Sequence, residues 1–178
     1  MTINPTVNLR TLTLLLLLPL LLLVLATPQV DAHGMVRREP PGSSIASSIT
    51  VPAGAQWLFI GSTLADVTEE GASPGSAARM GDTAAQARSI LGKINAELTA
   101  AGFAKTDIVK MEVYLVADPA KGGTVDLMGL LSAYTNFFGK KVSNLPMRST
   151  VEVAGLPIPG ALVQIAVTAA RSSHPEHQ

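Results

Sequence analysis

Only two stretches of this chain repeat apolar residues at helical spacing, and they lie among segments that alternate with a period of two. A sheet with that little helix cannot have both faces covered by its own chain. In the first stretch, 83–101, Ala87, Ile90, Leu91, Ile94 and Leu98 fall on one stripe, with Asp82 or Thr83 placed to cap the start and Gly102 to end it. In the second, Leu127, Leu130, Leu131, Tyr134 and Phe138 recur in the same way before Gly139. Between them, "DIVKMEVYLVA" puts Val109, Met111, Val113 and Leu115 on one side and Lys110, Glu112 and Tyr114 on the other, the pattern of a strand with one buried face. "SSIASSITV" and "AQWLFIGSTLA" read as two earlier strands with a turn at 52–54 between them, and a Gly-rich loop follows at 66–82. The predicted order is strand, strand, helix, strand, helix, strand, strand, with room for one more short strand near the loop. With both helices on one side, the opposite sheet face must meet water or another subunit.

The two closing strands, "MRSTVEVA" and "LVQIAVTA", are joined by a Pro/Gly connection and carry polar residues in a fixed phase. Arg148, Thr150 and Glu152 share one side of the first, and Ser149, Val151 and Val153 the other. In the second, Gln164, Ala166 and Thr168 oppose Val163, Ile165 and Val167. If these strands pair, Arg148 and Gln164 flank one polar pocket. Arg148 reads either as a strand-edge charge or as an anchor for a carboxylate, and Gln164 as a structural hydrogen-bonding residue.

The ends of the chain differ from its middle. One cation, Arg10, precedes a nearly unbroken apolar run over 12–26, and Val30-Asp31-Ala32 then offers the small residues three apart that signal peptidase accepts. Pro19 interrupts the run, which is shorter than the roughly 20 residues of a membrane helix. Residues 1–32 are thus expected to be a signal peptide, with an uncleaved anchor as the alternative, and the mature protein to be periplasmic or secreted and free of the membrane. "HGMVRREPPGSS" is polar and proline-rich and reads as an extended leader over 33–43; the folded domain is expected over 44–171 and a frayed tail over 172–178.

Composition removes several kinds of chemistry. The chain has no cysteine, so disulfides and thiol catalysis are excluded. Its histidines are His33, His174 and His177, all in terminal segments, which leaves no imidazole for a triad or a zinc cage in the interior. A copper site at an N-terminal His33 would need a second histidine from the fold, and the tail "SSHPEHQ" would chelate metal only weakly. No phosphate-binding loop is present, and no metal or cofactor is expected. Of 13 basic and 13 acidic residues, Arg10 and Asp31 fall within the expected signal peptide, leaving 12 of each and no basic stripe for nucleic acid.

Over about 44–171 the sequence resembles the RidA (YjgF) family of enamine/imine deaminases. The likeness is strongest in "AAQARSILGKINAELTAAGFAKTDIVKMEVYLVAD", "YTNFFGK" and "LPMRSTVEVAGLP", and it includes Pro146-Met147-Arg148-Ser149 followed past a turn by Val163-Gln164-Ile165. The resemblance implies an α+β, chorismate-mutase-like fold: a mixed sheet of about six strands with two helices on one face, trimeric, with ligand sites in the clefts between subunits. It also implies that Arg148 grips the carboxylate of a 2-imino acid and that the backbone of Thr150 helps hold the reactive water or imine. The family's water-orienting glutamate falls on Gln164, its N-terminal tyrosine near Ser48 and its helix asparagine near Leu131. A Gln amide holds a water by hydrogen bonds but cannot take its proton. Two functions follow from the resemblance: a deaminase that hydrolyses reactive imines to 2-keto acids and ammonia, and a non-catalytic trimeric binding protein for small carboxylates.

The signal-peptide reading has a direct check. Protein recovered from the periplasm or medium is expected to have the intact mass of a chain starting at His33; a mass that still includes 1–32 would rule out cleavage.

Overall fold

The two helical stripes bury against each other and against a sheet whose strands are not in chain order. The structure, a computed structural model, describes residues 29–30, 34–74, 76–139 and 144–172. The apolar run at 12–26, His33 and the tail histidines lie outside the described residues.

Helix α1 spans Thr83–Ala100, and the Asp82 side chain accepts a hydrogen bond from the Ala85 amide at 2.8 Å, satisfying a helix-start donor that has no partner within the helix. Helix α2 spans Leu127–Phe138 and is capped in the same way by Asp126, which accepts from the Gly129 amide at 2.9 Å. The helix starts meet closely: a Cβ on Gly129 would stand 3.2 Å from the Ala84 amide nitrogen, so glycine is what lets the first turns approach. The expected α1 stripe is buried as a whole, with Ala87, Ile90, Leu91, Ile94 and Leu98; on α2, Leu130, Tyr134 and Phe138 are buried together with Ala133, whereas Leu131 is half-buried and Leu127 is 44% exposed. Among the described residues no helix is long and apolar enough to cross a membrane.

Among the described residues, seven strands form two sheets rather than one of about six: β1 (Gln29–Val30), β2 (Val36–Arg38), β3 (Ser48–Thr50), β4 (Gln56–Leu64), β5 (Ile108–Leu115), β6 (Met147–Glu152) and β7 (Val163–Arg171). The main sheet has the order β4-β7-β5-β6, and β1, β2 and β3 make a small antiparallel sheet beside it. Strand β6 runs parallel to β5, which requires a crossover, and α2 supplies it; the other pairs of the main sheet are antiparallel. Met111, Val113, Leu115, Val163, Ile165 and Val167 face the helices in one core, so the fold is α+β with a mixed sheet and both helices on one side.

One further expectation changes. The closing strands β6 and β7 do not pair, because β5 lies between them and offers one edge to each. Residues 34–43 of the expected extended leader are anchored to the domain. Val36–Arg38 pairs with β3, Met35 has no exposed surface, and Arg37 is 2% exposed. A buried guanidinium is costly unless its donors are met. Here Nη1 donates to the carbonyls of Ile108 (3.2 Å) and Leu145 (2.9 Å), and Nη2 to that of Thr106 (3.0 Å). Two residues on, Glu39 Oε1 accepts from the Leu145 amide at 2.7 Å, and the Ala46 amide donates to the Pro146 carbonyl at 3.0 Å. The N-terminal segment therefore fastens the start of both β5 and β6.

Replacing Arg37 by Met keeps the apolar stem but takes a donor from three carbonyls, two of them in buried bonds. The expected cost is about 2–4 kcal/mol, a fall on the order of 10 °C in Tm for a domain of this size. Melts followed by circular dichroism test this; a Tm within about 2 °C of wild type would show that the clamp contributes little.

Candidate functional site

Arg148 is the second residue of β6, and its register partner on β5 is Met111, so its side chain leaves the sheet on the helix-covered face. There it reaches α2, with its guanidinium carbon 4.4 Å from the centroid of the Tyr134 ring. Burial pulls the Arg148 pKa down, and the nearby Tyr134 works against that shift. Among the described residues its Nη1 is buried and meets no hydrogen-bond acceptor. A buried charged donor without an acceptor is unstable by itself and is met by a ligand oxygen in ways an arginine on the surface is not.

Tyr134 is 2% exposed, and its hydroxyl donates to the Ser44 carbonyl at 2.9 Å. Its pKa is pushed up to about 12, chiefly by burial, with Arg148 opposing the rise and Glu39 adding to it. The phenol is therefore neutral near pH 7 and unsuited to act as a base. Beside it, Ser43, Ser44, Thr135, Phe138 and Leu145 line a cleft of about 240 Å³.

The other expected site residues fall in two groups. Thr150 lies two residues beyond Arg148 on the same strand face, opposite Val113, and is exposed. Leu131 is half-buried on α2, one turn before Tyr134, and so flanks the ring that Arg148 contacts. Ser48 opens β3, exposed, in register with Arg38. Gln164, half-buried, pairs with Tyr114 and Leu64, and Tyr114 lies on the face away from the helices. Arg148 and Gln164 thus leave opposite faces of the sheet in one chain, two strands and three residues apart, about 10 Å in each direction. They do not flank one pocket within a single subunit.

Sequence reading missed Tyr134, Arg37 and Glu39 as parts of the site. Tyr134 was counted only as a member of an apolar stripe, although a buried phenol needs a partner for its hydroxyl and so carries a signal of its own. Arg37 and Glu39 stood in a stretch whose prolines suggested an open chain. Among the described residues no three His, Cys, Asp or Glu side chains gather in a group that could hold a metal ion.

The fold is shared with known proteins. The family model described as endoribonuclease L-PSP matches residues 69–171. E. coli TdcF, solved with bound serine, is 30% identical over 68% of this chain and 85% of its own, with a TM-score of 0.51. A protein of unknown function from Pseudomonas aeruginosa is 28% identical over 82% of this chain and 91% of its own, also at 0.51. The Rid-family protein YyfB from Yersinia pestis, at 20% identity, shares the fold over 76% of this chain and 97% of its own, with a TM-score of 0.56. No curated protein matches the sequence significantly. The match over most of the domain, the likeness to these solved chains and the Pro146-Met147-Arg148 motif at the head of a parallel strand lead to one conclusion: this chain belongs to the endoribonuclease L-PSP family, as a RidA (YjgF) protein.

Proposed function

We propose that this protein binds small 2-imino or enamine acids through their carboxylate and hydrolyses them slowly to 2-keto acids and ammonia. The observation that carries this reading is the buried, unpartnered Nη1 of Arg148. A planar fork of donors suits a carboxylate, and charge-assisted bonds of this kind are strong enough to dominate recognition of so small a ligand. The E. coli relative solved with bound serine adds support, since serine carries such a carboxylate. With the carboxylate held, water adds to the imine carbon, the carbinolamine collapses, and ammonia leaves as the C=O bond forms. These substrates are already electrophilic, so orientation contributes much of the acceleration.

In this reading the site is completed by a second subunit of a homotrimer. Arg148 and Gln164 leave opposite sheet faces, so they share a cleft only where the helix-side edge of one subunit meets the open face of the next. Support comes from that open face, where Phe59 is 74% exposed and Trp57 and Val151 are each 49% exposed. Monomers seldom leave so much apolar surface together in water. Closed symmetric assembly covers it without disulfides. Export remains part of the proposal: the apolar run at 12–26 and the small residues before His33 support it, and loss of 1–32 would remove β1 while leaving β2 paired with β3.

A second reading, a carboxylate-binding trimer without chemistry, is favoured by Gln164, which can hold water but cannot accept its proton, and by Leu131 and Ser48 at positions where the family resemblance implies an asparagine and a tyrosine. RNA cleavage, which the family's description names, has less support, because acidic residues equal basic ones in number.

Arg148→Ala is expected to weaken binding of pyruvate and 2-oxobutanoate roughly 10- to 100-fold in calorimetric titration, with Tm unchanged or raised because a buried unmet donor is gone. Unchanged affinity would return Arg148 to the role of a strand-edge charge.

Gln164→Glu supplies the missing proton acceptor with almost no change in shape. If the rest of the pocket is competent, it is expected to raise hydrolysis of an imino acid generated in situ by an amino-acid oxidase, by up to about 10²- to 10⁴-fold. Light scattering on the same samples is expected to give a trimer mass; a stable monomer would leave Gln164 with no Arg148 to face. No hydrolysis in either protein would favour the binding reading.

A further inference from the structure

The side chain of Arg148 raises a question that its proposed ligand does not answer: what holds a half-buried cation in place before the ligand arrives? The usual answer is a carboxylate. Here the contact is an aromatic ring, 4.4 Å from the guanidinium carbon, and Nη1 meets no acceptor among the described residues. Glu39, the acid whose charge reaches Tyr134, binds the Leu145 amide through Oε1.

The ring is itself firmly set. Tyr134 packs against Phe138 with centroids 4.6 Å apart, and its hydroxyl is tied to the Ser44 carbonyl at 2.9 Å. The face of the ring is electron-rich and attracts a cation, yet it offers no oxygen for the N–H groups to bond. A carboxylate in the same place would neutralise the guanidinium and would have to be displaced by any acidic ligand. A ring holds the side chain in one rotamer and leaves its charge and its hydrogen-bond donors unspent. It also reduces the rotamer freedom lost when the ligand binds.

We propose that Tyr134 is a positioning residue for Arg148, in which the ring replaces a counter-ion and keeps the guanidinium charged, oriented and open to a ligand carboxylate. The ring is held chiefly by its packing in the core, and its hydroxyl also ties it to the N-terminal segment at Ser44. The proposal rests on the reading of Arg148 as a carboxylate anchor.

Calorimetric titration of the full-length protein with 2-oxobutanoate tests it. Tyr134→Phe keeps the ring and is expected to bind within about threefold of wild type, whereas Tyr134→Leu and Tyr134→Met, which fill much of the same volume, are expected to bind about tenfold more weakly. Because these aliphatic variants replace a core side chain and can fail to fold, a series of increasingly fluorinated phenylalanines at position 134 provides the decisive measurement. Fluorination depletes the ring face while nearly preserving its shape, so affinity is expected to fall stepwise at nearly constant Tm. A purely structural role predicts a flat series. A flat series, or a folded Tyr134→Leu that binds within about twofold of wild type, would overturn the proposal. A wild-type protein that binds no 2-oxobutanoate would instead overturn the carboxylate reading of Arg148, and the role of Tyr134 with it.

Discussion

The hold that Arg37 and Glu39 exert on Leu145 is the contact on which the rest of this site depends. One residue donates to its carbonyl and the other accepts from its amide, so both backbone polar groups of Leu145 are fixed by one short N-terminal segment. Leu145 stands three residues before Arg148, and the next residue, Pro146, is held through its carbonyl by the Ala46 amide. Since the same guanidinium also reaches Thr106 and Ile108, it ties together the starts of the two strands that run parallel at this edge. A rigid fork of several donors suits a side chain that must satisfy three carbonyls from two segments at once.

That arrangement shows how the fold divides stability from function. Arg37 is almost fully buried and its bonds go to backbone, as expected of a charge kept for structure. Arg148 is half-buried with a donor unmet, a local imperfection that the surrounding packing sustains. Two arginines on neighbouring elements thus have opposite electrostatic roles. What distinguishes them is the supply of carbonyl oxygens, abundant where strands begin and scarce beside an aromatic helix face.

Much of the fold was legible in the sequence. The stripe of α1 with its start at Asp82, most of the α2 stripe and the alternation of β5 appear where local spacing puts them. The candidate site was legible only in part. Arg148 stood out because a cation at the head of an apolar strand is unusual, and its place in the motif gave it a role. Gln164 was found by alignment with the same motif, but its placement beside Arg148 assumed that consecutive strands pair. Tyr134 was hidden because an aromatic ring in an apolar stripe looks the same whether it fills the core or faces a cation.

By itself, then, the sequence determined the two long helices and the strands of the main sheet, where α1 begins, and which side chains share a face. These follow from backbone geometry over a few residues, which the periods of 3.6 and 2 record directly. Tertiary structure decided that β5 lies between β6 and β7, that Arg148 and Gln164 leave opposite faces, and that a proline-rich N-terminal stretch clamps the strand of Arg148. Strand order depends on the competition among edges for distant partners, and the worth of a buried charge depends on carbonyls about 70 to 110 positions away in the chain. Neither quantity is written in the spacing of neighbouring residues.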